Sequence, residues 1–269
     1  DHPVVFRTGP DASVNTMALK LSGIDKNFEI TDGRPGRIER DANGEPTGIL
    51  RAASRLIKSK PSKKQPTFLD KQNRLKALIA DYNKLGITSI ADRNTDPEDL
   101  EVYRALHDKG TLNVRVFINA AVDANAPVSE IEAQIKRAAN DPLHRENDSL
   151  WVRGIKVFLD GGMLTGSAYM REPWGVSKVY SIDDPHYRGM RYITPGRLYF
   201  IVRTAMAHGL QPTAHSVGDG AVHALISAFD EVNNEFSVRD HRPCITHSNF
   251  MSSEAIADMK RLGVVADLQ

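Results

Sequence analysis

Residues 68–121 read FLDKQNRLKALIADYNKLGITSIADRNTDPEDLEVYRALHDKGTLNVRVFINAA. Two patterns alternate in this stretch. Leu69 to Leu85 carries apolar residues at helical spacing and stops at Gly86, a residue suited to the left-handed backbone that closes a helix. Ile87 to Ala91 is a short β-prone run and reads as a strand. A second helix is predicted over Pro97–Lys109, with Asp96 as its cap and Gly110 as its stop. Pro97 suits the first helical position because no amide is needed there. Val114–Ala121 is the next strand.

The alternation continues outward from this stretch. Strands are expected at Gly154–Leu159, Pro212–Val217, Cys244–His247 and Val264–Leu268. Helices are expected at Ser129–Ala139 with Ser129 as cap, and at Arg197–His208, Ala221–Phe236 and Ser253–Leu262. Six strands alternating with helices imply parallel pairing through right-handed crossovers, hence an α/β fold. An open doubly wound sheet and a closed (β/α)8 barrel both fit. No G-x-G-x-x-G follows the first strand and no P-loop lysine is present, so nucleotide-binding folds lose support. A barrel needs eight strands, two more than this pattern supplies.

Residues 1–66 read differently. Val4–Phe6 is an expected strand and Val14–Ser22 a helix closed by Gly23. Arg37–Arg40 and Thr47–Leu50 flank Asn43-Gly44, a hairpin signal. Lys58–Gln65, rich in lysine and holding Pro61, reads as a solvated linker. The division is therefore 1–66 and 67–269.

Composition narrows the function. Lys plus Arg is 35 against 34 for Asp plus Glu, which gives no electrostatic argument for nucleic acid or an anionic membrane. Cys244 is the one cysteine, which excludes an intrachain disulfide and a Cys-rich zinc site. No apolar run approaches the roughly 18 residues of a membrane span. The chain starts at Asp1 without a Met, so its compartment is left open, as is self-association.

Chemistry in parallel α/β proteins gathers at the C-terminal ends of strands. His215 lies near the end of Gln211-Pro212-Thr213-Ala214-His215-Ser216, ahead of a Gly218-Asp219-Gly220 turn. His247 ends Pro243-Cys244-Ile245-Thr246-His247. Each alone is more often a hydrogen-bonded core histidine than a ligand. On neighbouring strands about 4.8 Å apart, the two can meet one metal ion. Lys156 stands inside an apolar strand, where an ammonium is expensive. Its stem either snorkels to a carboxylate such as Asp160, or the amine reacts with CO2. Asp92 reads as part of a turn or as a support for the site. Asp219 either orients a histidine or caps a helix. His208 and His223 fall in helices, and His2, His107, His144, His186 and His241 in loops or on exposed faces; all seven are taken as structural or solvated. Met163, Tyr169 and Trp174, in the long stretch between Gly162 and Pro195, are candidate substrate contacts.

Lys on one strand, His on the next and His on the one after resembles the amidohydrolase superfamily. More narrowly, the chain is similar to its amidohydrolase-3 group of formamide deformylase-like and exoenzyme-regulator-like proteins. The matching segments include Val4-Val5-Phe6-Arg7-Thr8, Gly36-Arg37-Ile38-Glu39-Arg40-Asp41, Gly86-Ile87-Thr88-Ser89, Ile155-Lys156-Val157-Phe158-Leu159-Asp160-Gly161, Ala214-His215-Ser216-Val217-Gly218-Asp219 and Ile245-Thr246-His247-Ser248. The resemblance implies a (β/α)8 TIM barrel of metal-dependent hydrolase type, incomplete here at about strands two to seven. Residues 1–66 would be a small α+β excursion between strand one and its helix, over the barrel mouth. One or two divalent ions, commonly zinc, are implied. Lys156 would be a carbamylated bridging ligand, with His215 and His247 the metal ligands of strands five and six. Metal-activated water would hydrolyse an amide-type C–N bond of a small molecule. Asp92, Asp160, Asp219 and Asp11 are then candidates for supporting or substrate contacts.

Three departures accompany the resemblance. No His-x-His occurs, although the family carries one on strand one. The strand-eight Asp that serves as general base is expected beyond the C-terminus. Pro10-Asp11-Ala12 stands where the family usually has a His. The chain alone is therefore expected to be nearly inactive. A metal-free barrel acting as a binding or scaffold module, and a lyase using Lys156 as a Schiff-base amine, are the alternatives.

Overall fold

The computed structural model describes residues 2–58, 65–145 and 147–268. Its first part is a small antiparallel sheet of β1 (Val5–Thr8), β2 (Asp11–Val14), β3 (Arg37–Arg40) and β4 (Pro46–Arg51), in the order β1-β2-β4-β3, with α1 (Thr16–Ser22) beside it. The second part begins with α2 (Phe68–Lys84), β5 (Ser89–Thr95), α3 (Pro97–Asp108), β6 (Arg115–Ala121), α4 (Val128–Ala139) and β7 (Leu150–Phe158). It continues with α5 (Pro195–Ala207), β8 (Gln211–Ser216), α6 (Asp219–Val232), α7 (Val238–His241), β9 (Cys244–His247), α8 (Ser253–Leu262) and β10 (Val265–Leu268).

All pairings among β5 to β10 are parallel, and the strands lie side by side in sequence order. A doubly wound sheet reverses its order at a switch point; this one does not. Laid flat, β5 and β10 would stand roughly 24 Å apart, five strand spacings. Yet Arg93 Nε on β5 donates to Asp267 Oδ2 on β10 at 2.9 Å, and its Nη1 donates to Asn119 Oδ1 on β6 at 3.0 Å. Side chains cannot bridge a flat sheet over that distance, so the sheet is curled nearly onto itself. This is a partial (β/α) barrel.

The curl separates two environments. Ile155 and Val157 on β7, and Leu159 just past its end, are buried in the main core, with α4 packed on β7 and α5 and α6 on β8. Burying one such aliphatic side chain contributes roughly 1.5–3 kcal/mol. The inner face is polar. Asn119 Nδ2 donates to Gln211 Oε1 at 3.4 Å, beside the Arg93 pair. Gly154 sits against this group; a Cβ there would strike the Gln211 carbonyl and the Asn119 amide. That close approach explains a glycine inside a strand.

Several expectations are corrected. Asp11–Val14 is a strand, because Val14 pairs with Val5 and Ala12 with both Arg7 and Leu50. The helix therefore starts later, with Asn15 Oδ1 accepting from the Ala18 amide at 3.0 Å. β5 runs on through Asp92 to Thr95, so Asp92 is in a bulged strand and not in a turn. β7 starts at Leu150, ahead of the expected Gly154, because a register shift beside β6 absorbs the break in alternation. Ser129 is not a cap, since Pro127 holds that place on α4. α5 starts at Pro195 and α6 ends at Val232. Asp96 does cap α3, accepting from the Asp99 amide at 2.8 Å. The linker expected at 58–65 falls almost wholly outside the described residues.

The two parts are tied through the long loop after β7. Fully buried Arg51 on β4 pairs with Glu39 at 2.6 Å and donates to the carbonyls of Thr165 and Tyr180. Asp11 accepts from the Ala52 amide at 2.7 Å and from the hydroxyls of Thr165 and Ser167.

Candidate active site

Lys156, His215 and His247 come together at the C-terminal end of the curled sheet. Lys156 and His215 lie on adjacent strands and face inward, with Phe158 next to His215 in register. The His215 and His247 ring centroids are 4.5 Å apart, edge to face. Strand register alone would not do this. Thr246 is the partner of His215, and His247 pairs with Ser216. Alternation would turn His247 away. Instead His247 adopts φ +82° and Ser248 φ +49°, so the chain kinks and swings the ring to His215. Two consecutive non-glycine residues in this region are strained, and such strain collects at functional sites.

His215 Nε2 lies 3.1 Å from the Gly161 carbonyl, which it can meet as a donor. That tautomer leaves the Nδ1 lone pair open. Burial pushes His215 down to about 4, which keeps the ring neutral at pH 7. Burial also pushes Lys156 down to about 8. Among the described residues the Lys156 amine has no hydrogen bond or ion pair; its Nζ lies 5.5 Å from the Phe158 ring centre.

The snorkelling alternative for Lys156 therefore fails, because Asp160 is engaged elsewhere. Asp160 accepts from the amides of Val217, Gly218 and Tyr169 at 3.0, 2.8 and 2.9 Å. Burial raises it to about 7 against the pull of those three amides. Its Oδ1 is 3.6 Å from His215 Nε2, so it fixes the exit of β8 directly beneath the imidazole. Asp219 is the first residue of α6 and accepts from the Arg171 amide at 2.9 Å; Gly218 holds the cap position. Asp92 accepts from the Tyr103 hydroxyl at 3.1 Å, on the outer side toward α3. Asp11 ties the small sheet to the loop, as described. Met163 is exposed on that loop, while Trp174 Nε1 donates to the Ala168 carbonyl at 2.8 Å.

Two imidazoles at this spacing fit two positions in the shell of one divalent ion. A neutral amine or its carbamate at Lys156 fits a third; an ammonium does not. The buried hydroxyls of Thr213 and Thr246, near the pair on the same two strands, have no hydrogen-bond partner among the described residues. Among the described residues no cluster of three or more His, Cys, Asp or Glu forms, so the donor set is partial.

A cleft of about 560 Å³ opens beside this set, between the small sheet and the ends of β5 and β6. Phe158 is the shared wall: its ring is 5.1 Å from that of His215. Phe158 was legible in the sequence, two residues beyond Lys156 on the same strand face. The opposite wall was not, because Pro10, Pro35 and Ala52 come from a remote part of the chain.

The curled parallel sheet with its polar end thus has the architecture of a barrel hydrolase, and the chain belongs to the amidohydrolase family, whose family model matches residues 1–269. Among its relatives, YtcJ of Bacillus subtilis (strain 168), named as an amidohydrolase, is 26% identical over 96% of this chain and 45% of its own length. The N-substituted formamide deformylase of Arthrobacter pascens is 23% identical over 82% of this chain and 39% of its own. A metal-dependent hydrolase of Pyrococcus furiosus superposes with a TM-score of 0.63 at 22% identity, over 99% of this chain and 50% of that one. The chain spans about half the length of the relatives it matches.

Proposed function

We propose that the protein is a metal-dependent hydrolase of amide-type, non-peptide C–N bonds in small molecules. The observation that carries this is the kinked approach of His247 to His215 beside a buried, unpaired Lys156. Family membership and the name of the formamide deformylase relative support the bond type. His215 and His247 would hold a divalent ion, zinc by preference, through neutral imidazoles. Lys156, whose lowered pKa of about 8 raises the fraction present as free amine, would add to CO2 with loss of one proton and ligate as the carbamate. The ion supplies Lewis acidity toward the scissile carbonyl and lowers the pKa of water. Asp160 keeps His215 oriented, and Phe158 shields the amine of Lys156 from bulk water.

In the same reading β5 to β10 are barrel strands two to seven, and residues 1–66 are an excursion over the mouth. Strands one and eight would fill the gap between β5 and β10, which are both open edges. Metal analysis of the full-length protein tests the proposal. One or two divalent ions per chain are expected, with marked loss in His215→Asn and His247→Asn. A metal-free protein with a borohydride-trappable Lys156 would be a Schiff-base lyase instead. A metal-free protein without such trapping would be a binding module.

A further inference from the structure

The cleft beside Phe158 contains three charged side chains, and each already has a partner. Arg34 Nη2 meets Asp123 Oδ2 at 2.5 Å, joining the small sheet's loop to the end of β6 across the cleft. Arg55 forks onto Asp32, with Nε to Oδ2 at 2.7 Å and Nη2 to Oδ1 at 2.9 Å. Both ends of the Arg34–Asp123 pair are anchored from behind. The Arg34 amide donates to Asp32 at 3.1 Å, and Arg55 Nη1 donates to the Pro35 carbonyl at 3.1 Å. The Asp123 amide donates to Gln134 Oε1 at 2.9 Å, and Arg197 donates to the Ala124 carbonyl at 2.9 Å. An exposed ion pair is ordinarily loose and weak; this one is set between two braced loops. Most of the remaining lining is apolar, including Pro10, Pro35, Val122 and Phe158.

We infer that the Arg34–Asp123 pair is a charge filter: the cleft takes an uncharged, largely apolar substituent of the substrate and turns away substituents bearing a carboxylate. A carboxylate approaching Arg34 would meet the Asp123 charge already seated on Nη2 and be repelled by it at close range. A neutral aromatic or branched aliphatic group meets Phe158 and the prolines with no charge to compensate. The inference rests on the cleft being the substrate cleft of the proposed hydrolase. It does not depend on which metal is bound.

Binding, measured by calorimetry on the metal-free full-length protein, separates the two. The probes are N-benzylacetamide and its para-carboxylate analogue, which differ only in charge. The neutral probe is expected to bind at least about tenfold more tightly, the scale of a charged hydrogen bond. Asp123→Asn frees Arg34 and is expected to raise affinity for the carboxylate probe about tenfold. Adding Arg34→Met to that variant is expected to abolish the gain. Equal affinity for both probes in the unmodified protein, or an Asp123→Asn variant with unchanged preference, overturns the filter. If the filter holds in binding while no amide is hydrolysed by the metal-loaded protein, the hydrolase reading fails and the cleft assignment stands.

Discussion

The same repeating unit, a helix packed on a strand, is built twice in this sheet with opposite results. In α6 eight residues are buried, including Phe229, Leu225 and Val232, and every residue of β8 beside it is buried. In α2, three residues longer, only Gln72 and Ile79 are buried. Yet α2 is not a solvent helix by composition. Phe68, Leu69 and Leu78 on it, and Leu85 at its end, are 44%, 62%, 46% and 80% exposed. At the other edge Ile256 on α8 and Leu268 on β10 are 57% and 71% exposed. The middle of the sheet has neighbours on both sides; the two edges have one each. Apolar side chains are thus left exposed at both edges of one curled sheet, and buried in its middle.

The sharpest way to test this contrast is to compare the chain alone with the full-length protein. The chain alone is expected to show no zinc-dependent amide hydrolysis, and its β5 and β10 amides should exchange with solvent far faster than those of β7 and β8. Equal protection across the sheet, or robust hydrolysis, would break the comparison. Point substitutions come next. Phe229→Ala should destabilise by about 3–5 kcal/mol in urea unfolding. Leu78→Ala should change stability by less than about 1 kcal/mol in the chain alone, and by clearly more in the full-length protein. An equal response of the two sites in the isolated chain would be the contrary result. Arg93→Met leaves Asp267 without its partner across the gap and should lose about 1–3 kcal/mol; no change would mean that the curl is held by the backbone alone. The smallest effect separates two helix starts. Asp96→Ala should lose about 1 kcal/mol, while Ser129→Ala, which removes no cap, should stay within about 0.5 kcal/mol.

The strand and helix alternation was legible because Gly86, Gly110, Gly209 and Gly263 punctuate it and the apolar spacing is regular. The sheet's polar inner face was less so. Arg93 in β5 and Gln211 in β8 are far apart in sequence, and only the curl makes them neighbours. At the site, Lys156, His215 and His247 could be placed at strand ends from spacing. The meeting of the two histidines was expected from neighbouring strand ends, but not how it comes about, since it depends on a local backbone reversal at His247 that strand periodicity would deny. Asp160 was visible as a carboxylate near Lys156, but its three amide donors arrive from β8 and the loop. The cleft was invisible for the same reason, since its walls are brought together by contacts such as Arg34 with Asp123, 89 positions apart.

The struts from Arg51 and Asp11 end on Thr165, Ser167 and Tyr180, all on the loop after β7 and not on a barrel strand. The roof of the cleft is therefore hung from that loop, while the floor is set by the strands. A substitution in that loop can tilt the roof and change what fits beneath it, with no alteration to Lys156, His215 or His247. The shape of the cleft is thereby set by one part of the chain and the position of the three strand-end side chains by another.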